Sequence, residues 1–202
     1  MLVGVGAQLV VTATTTGGFL PTSPQRTLHV FAFFTVQSNV LVGVTSALLA
    51  LRPEPGGAVQ RALRLAGVVG ITVTGVVFHL VLRRLQDLQG YAAFADLLLH
   101  TVSPILCVVG WACFGPRAAV GRRVVAGALV FPVAWLAFTL VRGAVVGFWP
   151  YPFLDVDDLG IGIGIGTVLV NCLLVTGLFT GLAVVAARLD RTLPGVAPPS
   201  RV

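Results

Sequence analysis

Apolar positions along this chain gather into six long runs, roughly 1–20, 29–51, 64–82, 91–114, 124–146 and 161–187, each bounded by Arg, Pro or Gly clusters. About twenty predominantly apolar residues suffice for a helix to cross the ~30 Å hydrocarbon layer. A segment that is apolar all round is a helix with no water-facing side. The pattern therefore predicts an all-α, polytopic integral membrane six-helix bundle, a single transmembrane domain over 1–187. The tail, 188–202, carries Pro194, Pro198 and Pro199 and too little apolar surface to fold, so it is expected to be disordered. The first run has no basic leader and no A-x-A cleavage site, so it is counted as a helix and not as a signal peptide. It is short and opens without flanking charge, which points to a start of translation upstream of Met1.

Composition supports that class. Of 202 residues, 56% are hydrophobic and only 10% charged, and the mean hydropathy of +0.98 lies outside the range of soluble domains. All thirteen basic residues are Arg. They fall in short loops and the tail, where the positive-inside rule accounts for them, so no nucleic-acid partner is expected. With six spans, nine arginines lie on the side of the termini and four on the other, which places both termini in the cytoplasm. Arg without Lys, beside abundant Val, Ala and Gly, is associated with high-GC bacterial genomes, so the expected location is a bacterial inner membrane. Cys107, Cys113 and Cys172 form no C-x-x-C pair, and neither a metal nor a cofactor is expected. The run GIGIGIG, 160–166, lacks the Lys-Ser/Thr of a phosphate loop. Gly160 with Gly164, and Gly162 with Gly166, instead have the spacing of close helix approach.

Polar residues inside these runs are the candidates for chemistry, because lipid penalises them unless something answers them. In FAFFTVQSNV, Thr35, Ser38 and Asn39 are spaced i, i+3, i+4 and share one helical face. With the second helix starting at His29, Thr35 lies ~9 Å deep and Asn39 ~15 Å. On the same scale Asp96 lies at ~8 Å, His100 at ~14 Å, His79 at ~5 Å and Asn171 at ~15 Å, with Arg142 near the outer end of its helix. One shared pocket in the outer half of the bilayer explains this common level. Each residue also has a purely structural role open to it. A membrane Thr usually bonds its hydroxyl to the i−4 carbonyl. His100 can merely tie two helices together. Asp96, four residues earlier, can orient the imidazole or pair with Arg83, Arg84 or Arg142. His79 fits either a site or a wet interface, and His29 an interface.

The strings FFTVQSNVLV, TGVVFHLVL, ADLLLHTVSP, and RG followed by YPFLDV resemble, in order and over nearly the whole chain, Phe31 to Asn171, the androgen-induced-gene family of small multi-pass membrane proteins, particularly its bacterial branch. Animal members are intramembrane threonine hydrolases that cleave fatty acid esters of hydroxy fatty acids. The resemblance implies Thr35 as nucleophile, His100 as its partner and a lipid ester in the bilayer as substrate. A Thr hydroxyl needs a base within hydrogen-bond reach, and a neutral imidazole serves. Asn39 or Asn171 can donate to an oxyanion, with Ser38, His79, Asp96 and Arg142 in support. Two other classes stand beside this one. A haem or redox protein would use His79 and His100, whose depths differ by ~9 Å. A proton-linked transporter or accessory packing protein would use Asp96, His100 and Arg142 as a relay or network.

Overall fold

The computed structural model describes residues 1–15, 20, 22–52, 56–85, 87–117, 120–155 and 164–194, almost entirely helical and without a strand. Helix α1 spans Leu2–Thr14, α2 Ser23–Val30, α3 Phe34–Leu51, α4 Ala58–Val77, α5 Gly90–Leu97, α6 Ser103–Phe114, α7 Arg122–Val146 and α8 Ile165–Thr192. A π-helical turn, Phe78–Leu82, prolongs α4, and another, Leu98–Val102, joins α5 to α6 in one rod. Five rods, Phe34–Leu51, Ala58–Leu85, Gly90–Phe114, Arg122–Val146 and Ile165–Thr192, are long and apolar enough to cross a membrane. The chain therefore has the build of a multi-pass membrane protein.

The first predicted segment differs. Helix α1 has 13 residues, ~20 Å of rise, which is shorter than the ~30 Å hydrocarbon layer. It lies along the α5 end of the bundle, with Val5 packed on Val30, Val36 and Leu99. The second segment is not one helix from His29. It stops at Val30, turns through Phe31–Phe33 and restarts at Phe34.

Helix α4 is central. Half of its span is buried, against 17% for α7 and α8, and it packs against α3, α6, α7 and α8. Glycines let it do so. A Cβ at Gly67 would stand 3.1 Å from Val42, one at Gly70 would stand 3.2 Å from the Ser38 hydroxyl, and one at Gly75 would stand 3.1 Å from Pro104 Cβ. Among the described residues a small-residue interface thus runs along α4. Gly160 and Gly162 lie outside the described residues, and a Cβ at Gly164 or Gly166 would meet nothing within 4 Å. The outward faces of α7 and α8 present Val130, Val133, Val141, Leu169, Leu173 and Leu174, as lipid-facing helices must. Helix α8 also takes in the first five residues of the expected tail, to Thr192, with Asp190 buried. Residues 195–202 of that tail lie outside the described residues.

Candidate functional site

Thr35 is the second residue of α3, and that position decides what its hydroxyl does. Thr45, Thr72 and Thr180, inside their helices, each bond the carbonyl four residues back. Thr35 has no such carbonyl to use: the chain turns at 31–33, and the Phe31 carbonyl accepts from the Gln37 amide at 2.8 Å. The indole of Trp135 donates to the other freed carbonyl, Ala32, at 2.9 Å. A break in a membrane helix is tolerated where side chains satisfy the released backbone in this way. Thr35, only 7% exposed, turns its hydroxyl instead to His100, with Oγ1 3.2 Å from Nε2.

His100 is placed by its own helix. Pro104, four residues on, has no N–H to give the His100 carbonyl, and its ring displaces the preceding turn. The rod widens there into the π-helical turn Leu98–Val102, a feature frequent at functional sites. His100 is the eleventh residue of the rod that begins at Gly90, so the contact with Thr35 lies ~15 Å from that end. The start of α3 is therefore deep in the bundle. The ~9 Å depth expected for Thr35 is corrected, because it counted an unbroken helix from His29. His100 Nδ1 lies 2.9 Å from Asp96 Oδ1 and 3.2 Å from the Asp96 carbonyl. Both of those atoms only accept, so Nδ1 carries the proton, and Nε2 is left to accept from Thr35. The ring is further held by Phe78, stacked at 4.0 Å and 13°.

The first turn of α3 supplies the rest. Among the described residues, the carbonyl of Phe33 accepts the amides of Val36 and Gln37, while the amides of Phe34 and Thr35 face the phenol of Tyr151 together with the Thr35 hydroxyl. Burial pushes that phenol above the ordinary tyrosine value, and the polar start of α3 pulls it part of the way back. Tyr151 precedes the short 3-10 turn Pro152–Leu154 and is boxed in by Phe33, Trp135 and Phe153 at 6.1, 5.7 and 5.3 Å. Phe34 holds the same turn from the core side, against Phe131, Trp135 and Phe179.

The structure thus brings Thr35, His100 and Asp96 together, and it gives the remaining candidates other partners. Asn39 gives its amide hydrogens to the Thr35 carbonyl at 2.9 Å and the Leu99 carbonyl at 3.3 Å, so it ties α3 to the His100 turn and has none left for an oxyanion. Asn171 donates to the Phe153 carbonyl at 2.9 Å and anchors the Pro152–Leu154 turn instead. Ser38 is fully buried and faces Gly70 of α4. His79 sits in the other π-helical turn, with Nε2 3.1 Å from the Thr101 hydroxyl. His100 has both ring nitrogens engaged, so the two histidines do not present a common pair of free nitrogens. Arg142 donates to His29 Nδ1 at 2.7 Å, not to Asp96. His29 is accordingly held neutral: burial first, and then Arg142, lower its pKa below the ordinary histidine value. This pair meets the site through rings, His29 on Phe33 at 5.9 Å and Phe33 on Tyr151. Sequence reasoning did not single out Tyr151, Phe78 or Trp135 as site residues; the first two stand inside the strings YPFLDV and TGVVFHLVL, which was the available signal.

Comparison of the chain with protein-family models, with curated proteins and with solved structures finds no match in any of the three.

Proposed function

We propose that the protein is an intramembrane ester hydrolase with Thr35 as nucleophile and His100 as general base, acting on a lipid ester. The observation that carries this reading is the Thr35 Oγ1 to His100 Nε2 contact at 3.2 Å, with Nδ1 held by Asp96. It is the arrangement of nucleophile, base and orienting carboxylate that activates a hydroxyl. His100 Nε2 takes the Thr35 proton as Oγ1 attacks the ester carbonyl, and returns it to the departing alkoxide. The resulting acyl-threonine is hydrolysed by water, which the same imidazole deprotonates. Charge on the carbonyl oxygen develops at the start of α3, where the phenol of Tyr151, itself held by the amides of Phe34 and Thr35, can donate. The resemblance to the androgen-induced-gene family supports the same two residues and suggests fatty acid esters of hydroxy fatty acids, or similar lipids, as substrates.

In this proposal the chain crosses a bacterial inner membrane six times, with α1 as a short first span and both termini in the cytoplasm, on the excess of Arg at that end. A site ~15 Å along the α5–α6 rod suits an ester whose carbonyl enters from the leaflet while its chains remain in hydrocarbon. The test is hydrolysis of such esters by purified protein in liposomes. Activity lost in both Thr35→Ala and His100→Ala, with both variants folded, supports the assignment; activity retained in either refutes it. A second reading, proton-linked transport, draws on the helix break at 31–33 beside a half-buried His–Asp pair, since broken helices form transporter sites. Proton flux in liposomes that survives Thr35→Ala but not His100→Ala would favour it.

A further inference from the structure

At the end of the bundle away from Thr35, α4 begins and α6 and α8 end, and a second polar cluster is built there. Arg61 and Arg64 of α4, Trp111 of α6, Arg117 just beyond it and Asp190 of α8 line a half-open cavity of about 30 Å³. His100 and Phe114 are fourteen residues apart on one rod, so the cluster lies ~21 Å from the proposed catalytic site.

Its charges do not balance among the described residues: three guanidinium groups meet one carboxylate. The Arg117 side chain is only 6% exposed, and its Nη1 is 3.8 Å from Asp190 Oδ1, beyond hydrogen-bond distance. Its Nη2 is spent on the Trp111 and Ala112 carbonyls, and its plane lies over the Trp111 ring at 5.0 Å, so the group cannot swing out to water. The remaining donors, Nε and Nη1, are buried without a hydrogen-bond partner among the described residues, and so is Nε of Arg61. Arg64 converges on the same point: a Cβ built on Gly115 would stand 2.8 Å from Arg64 Nη2 and 3.2 Å from Arg117 Nη1. Holding like charges together with donors unmet in a low-dielectric setting is costly, and breaking even requires a counter-charge with acceptors.

We propose that this cavity binds a phosphate group, carried by an anionic lipid headgroup or present as free phosphate. The guanidinium fork matches phosphate oxygens in pairs, and two excess positive charges match a phosphate better than a single carboxylate. The cluster sits where the helices end, the level at which headgroup phosphates lie. By bridging α4, α6 and α8 the anion would tie that end of the bundle together.

The test measures thermal unfolding of the whole protein in two formats. In neutral detergent, inorganic phosphate is titrated against chloride at equal ionic strength. In liposomes, pure phosphatidylcholine is compared with phosphatidylcholine containing phosphatidylglycerol. Wild type, Arg117→Gln, Arg61→Gln and, as a charge-matched control, Arg122→Gln are compared, Arg122 being exposed at the same end. The expected result is a saturable stabilisation that weakens about tenfold in midpoint concentration when Arg61 or Arg117 loses its charge and is unchanged in Arg122→Gln. Stabilisation by phosphatidylglycerol alone identifies a lipid headgroup; stabilisation by inorganic phosphate alone identifies the free ion. If Arg117→Gln does not fold, Arg61→Gln carries the comparison. No saturable stabilisation in either format, or an equal effect of Arg61→Gln and Arg122→Gln, overturns the proposal.

Discussion

Asp96→Asn isolates what the carboxylate contributes beyond geometry. Asparagine can still accept from His100 Nδ1, and so can the carbonyl of residue 96, which lies 3.2 Å away. The tautomer that leaves Nε2 free should therefore survive. What is lost is the charge beside Nδ1, at 2.9 Å, when the Thr35 proton moves onto the ring. A hydrogen bond to a charged partner contributes ~1.5–3 kcal/mol, against ~0.5–1.5 for a neutral one. The difference of ~1–2 kcal/mol corresponds to a rate about 5- to 30-fold lower. Asp96 is 21% exposed, so solvent screens only part of this. The assay is the rate of covalent modification by a fluorophosphonate probe in detergent at neutral pH, with folding checked by size exclusion and intrinsic fluorescence. A rate within about twofold of wild type, well under the expected loss, would refute the role given to Asp96. A 5- to 30-fold slowing, with modification still confined to residue 35, is the predicted result.

Tyr151→Phe keeps the ring packed among Phe33, Trp135 and Phe153 and removes only the hydroxyl that faces Thr35, so kcat for ester hydrolysis should fall about 10- to 100-fold with thermal stability nearly unchanged. Gly75→Ala brings a Cβ to 3.1 and 3.2 Å from the rigid Pro104 ring; it should lower unfolding stability in detergent by about 1–3 kcal/mol, and a neutral result would mean that the α4–α6 contact is slack. His29 gives a pH dependence. Its pKa in the folded protein lies below the ordinary 6.5, so as pH falls the unfolded chain takes up the proton first. The stabilisation is complete above 6.5 and is lost as pH drops toward the lower folded value. Melting temperature should fall through that window in wild type, and His29→Gln should be flat across it.

Much of this site could be read from the sequence because an apolar run makes any polar residue conspicuous. Thr35, Asp96 and His100 stood out for that reason, and the four-residue step from Asp96 to His100 put that pair on one helical face by spacing alone. The break at 31–33 did not stand out. Phe31, Ala32 and Phe33 are as apolar as their neighbours, and what permits the break is tertiary: Gln37 and Trp135 satisfy the released carbonyls. The depth of Thr35 depended on that break, and so did the freedom of its hydroxyl. Asn39 and Asn171 were read as oxyanion donors, but which partner an amide meets is decided by packing, and both give hydrogens to backbone carbonyls. Tyr151 lies in a loop, where a lone aromatic has no period to betray it. The glycines show the same limit. Regular spacing drew attention to 160–166, whereas among the described residues α4 makes close approaches at Gly67, Gly70 and Gly75, where another helix stands opposite.

The central claim is that Thr35 is an activated nucleophile, and it is tested most directly by locating the adduct. Purified protein is treated with the fluorophosphonate probe, digested and mapped by mass spectrometry, alongside Thr35→Ala and His100→Ala. The account predicts a single modified residue, Thr35, with no adduct in either variant. Modification elsewhere, or an equal yield at Thr35 when His100 is absent, would contradict it.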